Sequence, residues 1–280
     1  MSTSTSFSAI IPTYNRAYIL RDAIDSALAQ NVPGLQVIVV DDGSTDATRS
    51  LVAEYGARVQ YIFQKNQGMA SACNAGFRVA EGEFIGFLDS DDVWLPNKVS
   101  TELRLFALFS QADAIASDAE SWAADRLVNP SWLRMKDCPI PSQEPFFFPV
   151  ESAAWIKSSL FATCCLTHRR SNLARFGDPL WNRSVGWHCD WDLEIRVLNS
   201  SRVLVTPQIL AKIRRYPDET RGNRPLPGTP PTPVQRRAFM QERFRVLDNA
   251  LRLAGWTADI RARLETAHAH LLQELSQPVT

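Results

Sequence analysis

Hydrophobic and polar positions follow two different periods along the first hundred residues. Short apolar runs predict strands at residues 7–12, 35–40, 59–63 and 83–88. Between them, apolar residues recur at helical spacing and predict helices at residues 17–29, 44–55, 69–80 and 96–109. Val37 to Val40 are apolar at consecutive positions, which is typical of a strand covered on both faces. The pattern therefore predicts an α/β fold in which a parallel sheet lies between layers of helices.

The pattern changes after about residue 113. Short strands are predicted at residues 114–117, 163–168 and 202–206, with proline-rich joins around residues 139–149. Residues 221–233 contain five prolines and predict a linker, and residues 234–253 and 257–275 predict an antiparallel pair of helices. Six of the eight tryptophans fall between about residues 113 and 215, and we expect them either to pack in the core or to form a stacking platform for a sugar; they are Trp122, Trp132, Trp155, Trp181, Trp187 and Trp191.

Composition and charge narrow the class of protein. With 45% hydrophobic and 21% charged residues, the 280-residue chain is too apolar to be disordered. Its 30 basic and 30 acidic side chains cancel, which argues against a dedicated nucleic-acid binder, although residues 200–280 hold 13 basic against 7 acidic residues. Neither a signal peptide nor a run of about 18 apolar residues occurs, so a cytoplasmic protein is expected. Five cysteines without C-x-x-C spacing predict reduced thiols.

Three acidic residues follow the fourth predicted strand, in the segment Leu88-Asp89-Ser90-Asp91-Asp92. Clustered carboxylates repel one another and raise one another's pKa, so they usually need a cation. Ligands that are all oxygen favour Mg²⁺ or Mn²⁺, which commonly also bind substrate phosphates. A helix N-cap with solvated acids explains the same residues without a metal, and both interpretations stay open at this point.

Two further acidic segments stand out. Asp41 and Asp42 end the second predicted strand, so we expect them at the same sheet edge as the first cluster, where a carboxylate could accept the imide proton of a nucleobase. Asp190 and Glu194 are four residues apart at the start of a predicted helix and share a face, which is also the pattern of a capped, solvated helix start. Neither a Gly-x-Gly-x-x-Gly motif nor a Walker lysine motif occurs, so any nucleotide must be held differently.

In this order, the motifs resemble those of the family 2 glycosyltransferases, which are inverting enzymes of the GT-A fold that use nucleotide-sugar donors. The segments that carry the resemblance are Ile10-Ile11-Pro12-Thr13-Tyr14-Asn15-Arg16, Val40-Asp41-Asp42-Gly43-Ser44-Thr45-Asp46, Asn66-Gln67-Gly68, Asn74-Ala75-Gly76, Leu88-Asp89-Ser90-Asp91-Asp92 and Asp190-Trp191-Asp192-Leu193 with Arg196. The fifth of these resembles the D-x-D metal-binding motif. The resemblance is dense over residues 7–110 and thinner to about residue 217.

The resemblance implies a fold and a division of the chain. Residues 1–220 would form an α/β GT-A-type domain, a Rossmann-like sandwich with a mixed central sheet. Its residues 1–112 would bind the nucleotide-sugar and the metal, and residues 113–220 would bind the acceptor. The proline-rich linker at residues 221–233 and a helical extension at residues 234–280 would follow.

The resemblance also implies roles for individual residues. It places around the donor Pro12, Tyr14, Asn15, Asp42, Asn66, Asn74, Asp89 and Ser90. Asp42 would accept a hydrogen bond from the uracil of a UDP-sugar; dTDP-sugars offer the same imide and GDP-sugars fit less well. Asp91 would bind Mn²⁺ or Mg²⁺, with Asp89 and Asp92 as further ligands. Asp190 would be the general base that takes the proton of the acceptor hydroxyl.

Three positions depart from the family's pattern. Cys73 stands where many members have arginine, Cys189 where they commonly have glutamate, and Tyr216 where many have histidine. With Tyr216 at the last of these positions, Arg214 or Arg215 is expected to cover the diphosphate of the donor.

Other functions and partners stay open at this point. A non-catalytic nucleotide-sugar binder or scaffold and a nucleotidyltransferase are the alternatives, whereas an aspartate-nucleophile phosphatase would carry its acids on the first strand. The acceptor is unknown and could be a saccharide, a lipid-linked or small molecule, or a peptide. The C-terminal helices could pack on the domain, form a homodimer or contact an anionic membrane surface, and packing is favoured because their arginines are interspersed with acids.

Overall fold

The structure is a computed structural model that describes residues 7–123, 125–215 and 232–277. Its strands are β1 Phe7–Thr13, β2 Leu35–Asp41, β3 Gln60–Phe63, β4 Phe84–Phe87, β5 Val93–Trp94, β6 Ala114–Ala123, β7 Arg126–Asn129, β8 Phe146–Phe147, β9 Leu166–Arg169 and β10 Val203–Arg215. Its α-helices are α1 Ala17–Leu28, α2 Thr48–Ala53, α3 Met69–Val79, α4 Lys98–Leu108, α5 Trp132–Met135, α6 Arg170–Ala174, α7 Cys189–Ser200, α8 Pro233–Arg252 and α9 Ala258–Leu275.

All described strands belong to one mixed sheet. Their spatial order is β3-β2-β1-β4-β9-β6-β10-β5, with β7 beside β6 and β8 beside β10. The strands β3, β2, β1 and β4 are mutually parallel, whereas β9 is antiparallel to both of its neighbours. The mixed GT-A-type sheet that the resemblance implied is therefore confirmed. The parallel sheet predicted from the hydrophobic pattern of the first hundred residues is confirmed for those four strands, and β6 and β10 form a further parallel pair.

Alternate residues of the central strands are buried against opposite layers of helices. Ile10 and Val40 belong to a core that includes residues of α3 and α7. Ile11 and Val39 belong to a second core that includes residues of α1 and α4. All four side chains are fully buried, so the strands require apolar residues at consecutive positions. This two-sided burial explains the continuous apolar runs in the sequence.

Three of the four predicted helices in the first half begin and end within two residues of the prediction, but α2 begins four residues late, at Thr48. Ser44 and Thr45 are engaged by the preceding loop: the N–H of Asn15 donates to Ser44 Oγ at 2.8 Å, and the N–H of Thr45 donates to Asn15 Oδ1 at 2.7 Å. The carboxylate of Asp46 accepts from the N–H and the hydroxyl of Thr48 and so caps the first turn instead.

The second half contains longer strands than predicted. β6 has 10 residues and β10 has 13. Buried Asp118 interrupts the apolar pattern of β6, and its carboxylate accepts from Ser131 Oγ and the N–H of Leu133. β10 continues past Pro207 because its register against β6 shifts there; proline is tolerated at such irregularities.

Helices α8 and α9 form the predicted pair and pack on the rest of the protein. Contacts from Arg237 to Gln277 and from Asp248 to His268 show that the two helices run antiparallel. Trp256, between them, stacks on buried Trp155 with ring centroids 4.9 Å apart. The predicted linker lies mostly outside the described residues, as does Tyr216, but Thr232 and Gln235 form a capping box at the start of α8.

Among the helices in the described part of the chain, none combines the length and the apolar character that a bilayer span requires.

Candidate functional site

The first feature of the site is a gap between β1 and β4 at the carboxyl edge of the sheet. β1 pairs with β2 along its whole length, but with β4 only as far as Ile10 and Phe87. The N–H of Leu88 donates to the carbonyl of Ile10 as the last bond across this pair. The strand's alternation then directs the nitrogen of Pro12, which has no hydrogen to donate, toward the gap. Because the strand order reverses between β1 and β4, this is the switch point at which open α/β sheets bind ligands.

The loop after β1 combines one structural side chain with one accessible side chain. Asn15 adopts a left-handed φ of 51° and its side chain and N–H hold residues 44–45, as described above. The ring of Tyr14 is 38% exposed at the same edge. Of these two predicted donor residues, Tyr14 is therefore the one that presents a free surface.

Asp41, the last residue of β2, uses its carboxylate in hydrogen bonds within the protein. It is almost fully buried, and its carboxylate accepts from the Tyr61 hydroxyl at 2.6 Å and from the N–H of Ser44 at 2.8 Å. Burial, followed by the hydrogen bond to Asp41 and its charge, raises the pKa of Tyr61. Asp42, the second acid of the pair, is also buried, at 3% exposure, so a donor would reach its carboxylate only through positions that its own partners leave unfilled.

Asp42 organises the segment between β3 and α3. Its Oδ1 accepts from Gln64 Nε2 at 2.6 Å and from the N–H of Gln67 at 3.0 Å, and its Oδ2 accepts from the N–H of Gly68 at 2.7 Å. A carboxylate offers about four acceptor positions, so one remains for a ligand. The same segment exposes Asn66 at the surface.

Asn74, one of the residues predicted around the donor, forms hydrogen bonds to the main chain. Its side chain is buried, its Nδ2 donates to the carbonyl of Trp181 at 2.9 Å, and its Oδ1 accepts from the N–H of Trp181 at 2.7 Å. A buried amide requires such partners, and here the main chain supplies both. Asn74 thus ties α3 to the segment that precedes α7, and its place beside the donor stays a prediction.

The carboxylates after β4 differ in accessibility. Asp92 is 4% exposed, and its Oδ1 accepts from the N–H of Arg214 at 2.9 Å. Burial, and then the neighbouring charges of Asp91 and Asp89, raise the pKa of Asp92 well above its usual range. Asp89 and Asp91 are only partly buried. A ligand would therefore meet Asp89 and Asp91 before Asp92.

Arg16 brings positive charge to this cluster. Its Nη1 lies 2.9 Å from Asp91 Oδ2 and 3.5 Å from Oγ of buried Ser90. The carboxylates outnumber this guanidinium, and their oxygens are the ligands that Mg²⁺ and Mn²⁺ prefer, so Asp89 and Asp91 fit a divalent ion. Across the described ranges, there is no group of three or more His, Cys, Asp or Glu side chains that could hold a metal ion.

Arg214, one of the two arginines expected to cover a diphosphate, is bound to the acidic turn instead. Its Nε donates to the carbonyl of Asp91 at 2.6 Å, and its Nη1 pairs with Asp22. Its side chain is only 11% exposed. Arg214 thereby fastens the turn after β4 to β10, and the side chain of Arg215 lies outside the described part.

Asp190 and Glu194 occupy the first two turns of α7. Half-buried Asp190 accepts the N–H of Trp191 through Oδ1 at 2.8 Å. Glu194 is 2% exposed, so the interpretation of this pair as a solvated helix start is wrong for Glu194. Its carboxylate accepts from Ser159 Oγ and from the N–H groups of Leu160 and Phe161. Burial raises the pKa of Glu194 to about 7, these hydrogen bonds oppose the rise, and the charge of Asp190 adds to it.

Two cavities flank α7. Asp190 and Glu194 line a small one of about 10 Å³ with Phe87, His168 and Trp181. Burial, and then the charge of Lys98, lower the pKa of His168 to about 3, so its imidazole is neutral at pH 7. A larger cavity of about 240 Å³ lies between α7 and α8, away from the acidic edge.

Cys73 is buried in the same core as Val40 near the end of β2, Phe87 at the end of β4 and Cys189 at the start of α7. Burial raises the pKa of its thiol, and Cys189 and the carboxylates of Asp89, Asp42 and Asp190 raise it further. Asp42, Asp89 and Asp190 follow Val40, Phe87 and Cys189 by one or two positions, so the ends of β2 and β4 and the start of α7 lie beside the same core. The structure therefore brings together segments that are far apart in the sequence. All five cysteines are described and buried, and none of them forms a disulfide.

The tryptophans divide between the core and the surface. Of the six tryptophans between residues 113 and 215, four are buried, as the packing interpretation predicted; they are Trp132, Trp155, Trp181 and Trp191. Trp122 and Trp187 are half-buried, and the Lys212 ammonium lies 4.5 Å from the ring centroid of Trp122. The hypothesis of a sugar platform is therefore excluded for the four buried rings.

Several partners of the site residues could not be found from the sequence. Gln64 holds Asp42 across 22 residues, and Asn249 donates to Asp192 Oδ1 across 57 residues. Both are ordinary amides on segments without a motif. No local signal marks them, because each is defined only by the partner that folding brings to it.

The buried carboxyl of Glu194 predicts a pH-dependent stability. Its pKa is about 7 in the folded protein against 4.5 for a free glutamate, so the folded state binds the additional proton between these values. Stability is therefore highest below about pH 4.5 and is lost as the pH rises through about 7, by roughly 3 kcal/mol for this group. We expect Glu194→Gln to remove this loss, measured as the change in unfolding free energy between pH 5 and pH 8 in urea. An equal pH dependence in the variant and the wild type would contradict the assignment.

The chain is similar to known proteins in sequence and in fold. Residues 8–170 match the family model of Glycosyl transferase family 2. An uncharacterized glycosyltransferase of Rickettsia typhi is 31% identical over 219 residues, which are 76% of this chain and 65% of that protein. The chain thus spans less than two thirds of the length of the curated relatives it matches.

Two solved structures share its fold. TarS of S. aureus in complex with UDP-GlcNAc is 18% identical with a TM-score of 0.69, and the match covers 95% of this chain and 71% of TarS. The mannosyltransferase PcManGT from Pyrobaculum calidifontis, in complex with GDP-Man and Mn²⁺, is 20% identical with a TM-score of 0.64, and the match covers 96% of this chain and 70% of PcManGT.

Proposed function

Because this chain belongs to glycosyl transferase family 2, we propose that it transfers a sugar from a nucleotide-sugar to an acceptor nucleophile with inversion at the anomeric carbon. The observation that carries the proposal is that three acidic segments directly follow Val40, Phe87 and Cys189, which belong to one core together with Cys73. Nucleotide-sugars are supported by the fold neighbours, since TarS is bound to UDP-GlcNAc and PcManGT to GDP-Man.

The donor nucleotide is proposed to lie in the gap between β1 and β4. Tyr14 offers an exposed ring on which a base can stack. Asp42 has about one acceptor position left, which suits the imide N–H of uracil or thymine. A UDP-sugar is therefore the donor we propose, and a dTDP-sugar is the alternative.

Asp89 and Asp91 are proposed to hold Mn²⁺ or Mg²⁺. Such ions commonly take one or two protein carboxylates and complete their shell with phosphate and water, which matches the two accessible carboxylates of this cluster. A bound ion would stabilise the negative charge of the departing diphosphate without a proton. Arg16, which pairs with Asp91, supplies further positive charge beside that position.

Asp190 is proposed as the general base. Its Oδ1 takes the N–H of Trp191, which leaves Oδ2 to receive the proton of the acceptor hydroxyl. The acceptor oxygen forms a bond to the anomeric carbon as the bond from that carbon to the diphosphate oxygen breaks, and the electron pair leaves with the diphosphate. Configuration is inverted because attack and departure occur on opposite faces.

The proposal is tested by a screen of UDP-, dTDP- and GDP-sugars against the purified protein, with and without Mn²⁺. We expect one UDP- or dTDP-sugar to raise the melting temperature in the presence of Mn²⁺, by about 5 °C at a hundredfold excess over Kd, and to release its nucleoside diphosphate. Binding without release would indicate a scaffold. Release of pyrophosphate from a nucleoside triphosphate and a sugar phosphate would indicate a nucleotidyltransferase, and no effect of any nucleotide would contradict the proposal.

A further inference from the structure

Helix α8 contacts the segment that leads into α7. This lead-in segment, Arg183–His188, is a 3₁₀ turn that ends two residues before Asp190. Oε2 of Glu242 accepts from the N–H of Trp187 at 2.9 Å and lies 3.0 Å from His188 Nδ1. Because a carboxylate can only accept, His188 donates through Nδ1. One carboxylate on the C-terminal helices thus holds two consecutive residues of the lead-in segment.

The lead-in segment is shaped to receive this carboxylate. Gly186 adopts φ 50° and ψ −114°, which interrupts the helical turn. A Cβ atom at this position would overlap the carboxylate of Glu242. Glycine therefore meets two requirements here, a left-handed φ and room for the Glu242 side chain. The bend and the carboxylate are complementary in shape.

The face of α8 that carries Glu242 makes two further contacts, one with the lead-in segment and one with α7. Arg245 Nη1 donates to the carbonyl of Ser184 at 3.3 Å, and Asn249 Nδ2 donates to Asp192 Oδ1 at 3.0 Å. Residues 242, 245 and 249 are spaced by three and four, as neighbours on one helical face are. Their contacts fall on both sides of Asp190 in the sequence, so α8 braces the segment that carries the proposed base.

We propose that Glu242 is a positioning residue for sugar transfer: it orders the lead-in segment and thereby sets the place of Asp190. The inference rests on the proposed function of Asp190. It makes the C-terminal helical pair part of the active-site frame, beyond an appendage packed on the domain. Asp42 and Asp91 are held by other groups, residues 64–68 and Arg16, so loss of Glu242 should affect turnover and spare donor binding.

The test compares Glu242→Ala and Glu242→Gln with the matched control Asp248→Asn. Asp248 is a carboxylate on the same helix that pairs with Arg252 and His268. Three quantities are measured on the full chain: amide hydrogen exchange in peptides covering residues 183–192, the affinity for UDP by calorimetry, and kcat and KM for release of UDP from the UDP-sugar that wild type uses.

We expect E242A to speed exchange at the Trp187 amide and to lower kcat at least tenfold, with KM and UDP affinity within twofold of wild type. E242Q keeps the shape and one acceptor oxygen, so its kcat and its exchange rate should lie between those of E242A and wild type. For D248N, both quantities should match wild type.

The outcomes separate this proposal from the function on which it rests. Unchanged exchange in residues 183–192, or a kcat within twofold of wild type despite faster exchange, would overturn the role of Glu242 alone. A wild-type protein that releases no nucleoside diphosphate from any nucleotide-sugar would overturn the proposed function first. If E242A does not fold, E242Q decides the question, because it removes the charge and one acceptor while it preserves the volume of the side chain.

Discussion

Asp190→Asn is expected to lower the rate of sugar transfer by about 10²–10⁴-fold and to leave UDP binding unchanged. The amide has nearly the same shape and can still accept the N–H of Trp191 through its oxygen, so the start of α7 should persist. It cannot take up the proton that the acceptor hydroxyl must lose. The donor residues proposed at β1, β2 and β4 lie on other elements, so the affinity for UDP should be preserved.

This result is checked by steady-state release of UDP from the donor found in the screen, together with calorimetry against UDP. Asp259→Asn is the matched control, because Asp259 occupies the first turn of α9 as Asp190 occupies that of α7. Its side chain is exposed and pairs only locally, with Arg263. A variant Asp190→Asn with more than a tenth of the wild-type kcat would exclude Asp190 as the base.

Asp91→Asn is expected to abolish the Mn²⁺-dependent part of donor binding and to reduce turnover about a thousandfold or more, since a metal ion contributes several kcal/mol of charge stabilisation. The fold should remain, because asparagine keeps the volume of the side chain and the carbonyl of residue 91 still accepts from Arg214 Nε. The measurement is the rise in melting temperature with the nucleotide-sugar, with and without Mn²⁺, for both proteins.

Asparagine variants of the other two carboxylates after β4, Asp89 and Asp92, sharpen this test. Asp89→Asn should resemble Asp91→Asn, because both carboxylates are accessible. Asp92→Asn should have a smaller effect, because Asp92 is 4% exposed and bound to the main chain of Arg214. If Asp91→Asn retains the same Mn²⁺-dependent stabilisation as wild type, Asp91 is not a ligand and the metal assignment of this cluster is wrong.

Local sequence was sufficient to predict the strands in the first half of the chain and the acids that end them. β1, β2 and β4 were predicted to within one residue at each end, because central strands covered on both faces need apolar residues at every position. The acids come next in the chain after each strand, because a strand that ends at the sheet edge passes from the core to a polar crevice. The family motifs then identified which of these acids to examine.

Polar residues whose partners lie far away in the chain could not be assigned in this way. The motif that contains Asn74 does not show that this amide pairs with the main chain of Trp181, because that pairing depends on the packing of α3 against the segment before α7. Glu194 has the spacing of an exposed residue beside Asp190, yet three donors from residues 159–161 allow it to be buried.

By itself, then, the sequence determined the α/β pattern, the family and the acidic clusters at Asp42, Asp91 and Asp190, because hydrophobic periodicity and strand-end motifs are properties of neighbouring residues. Tertiary structure alone decided which carboxylates are accessible, that Arg214 fastens the acidic turn, and that Glu242 braces the entry to α7. The physical reason is that a buried polar group is tolerated only where distant donors and acceptors are brought to it, and that meeting is fixed by the packing of the whole chain.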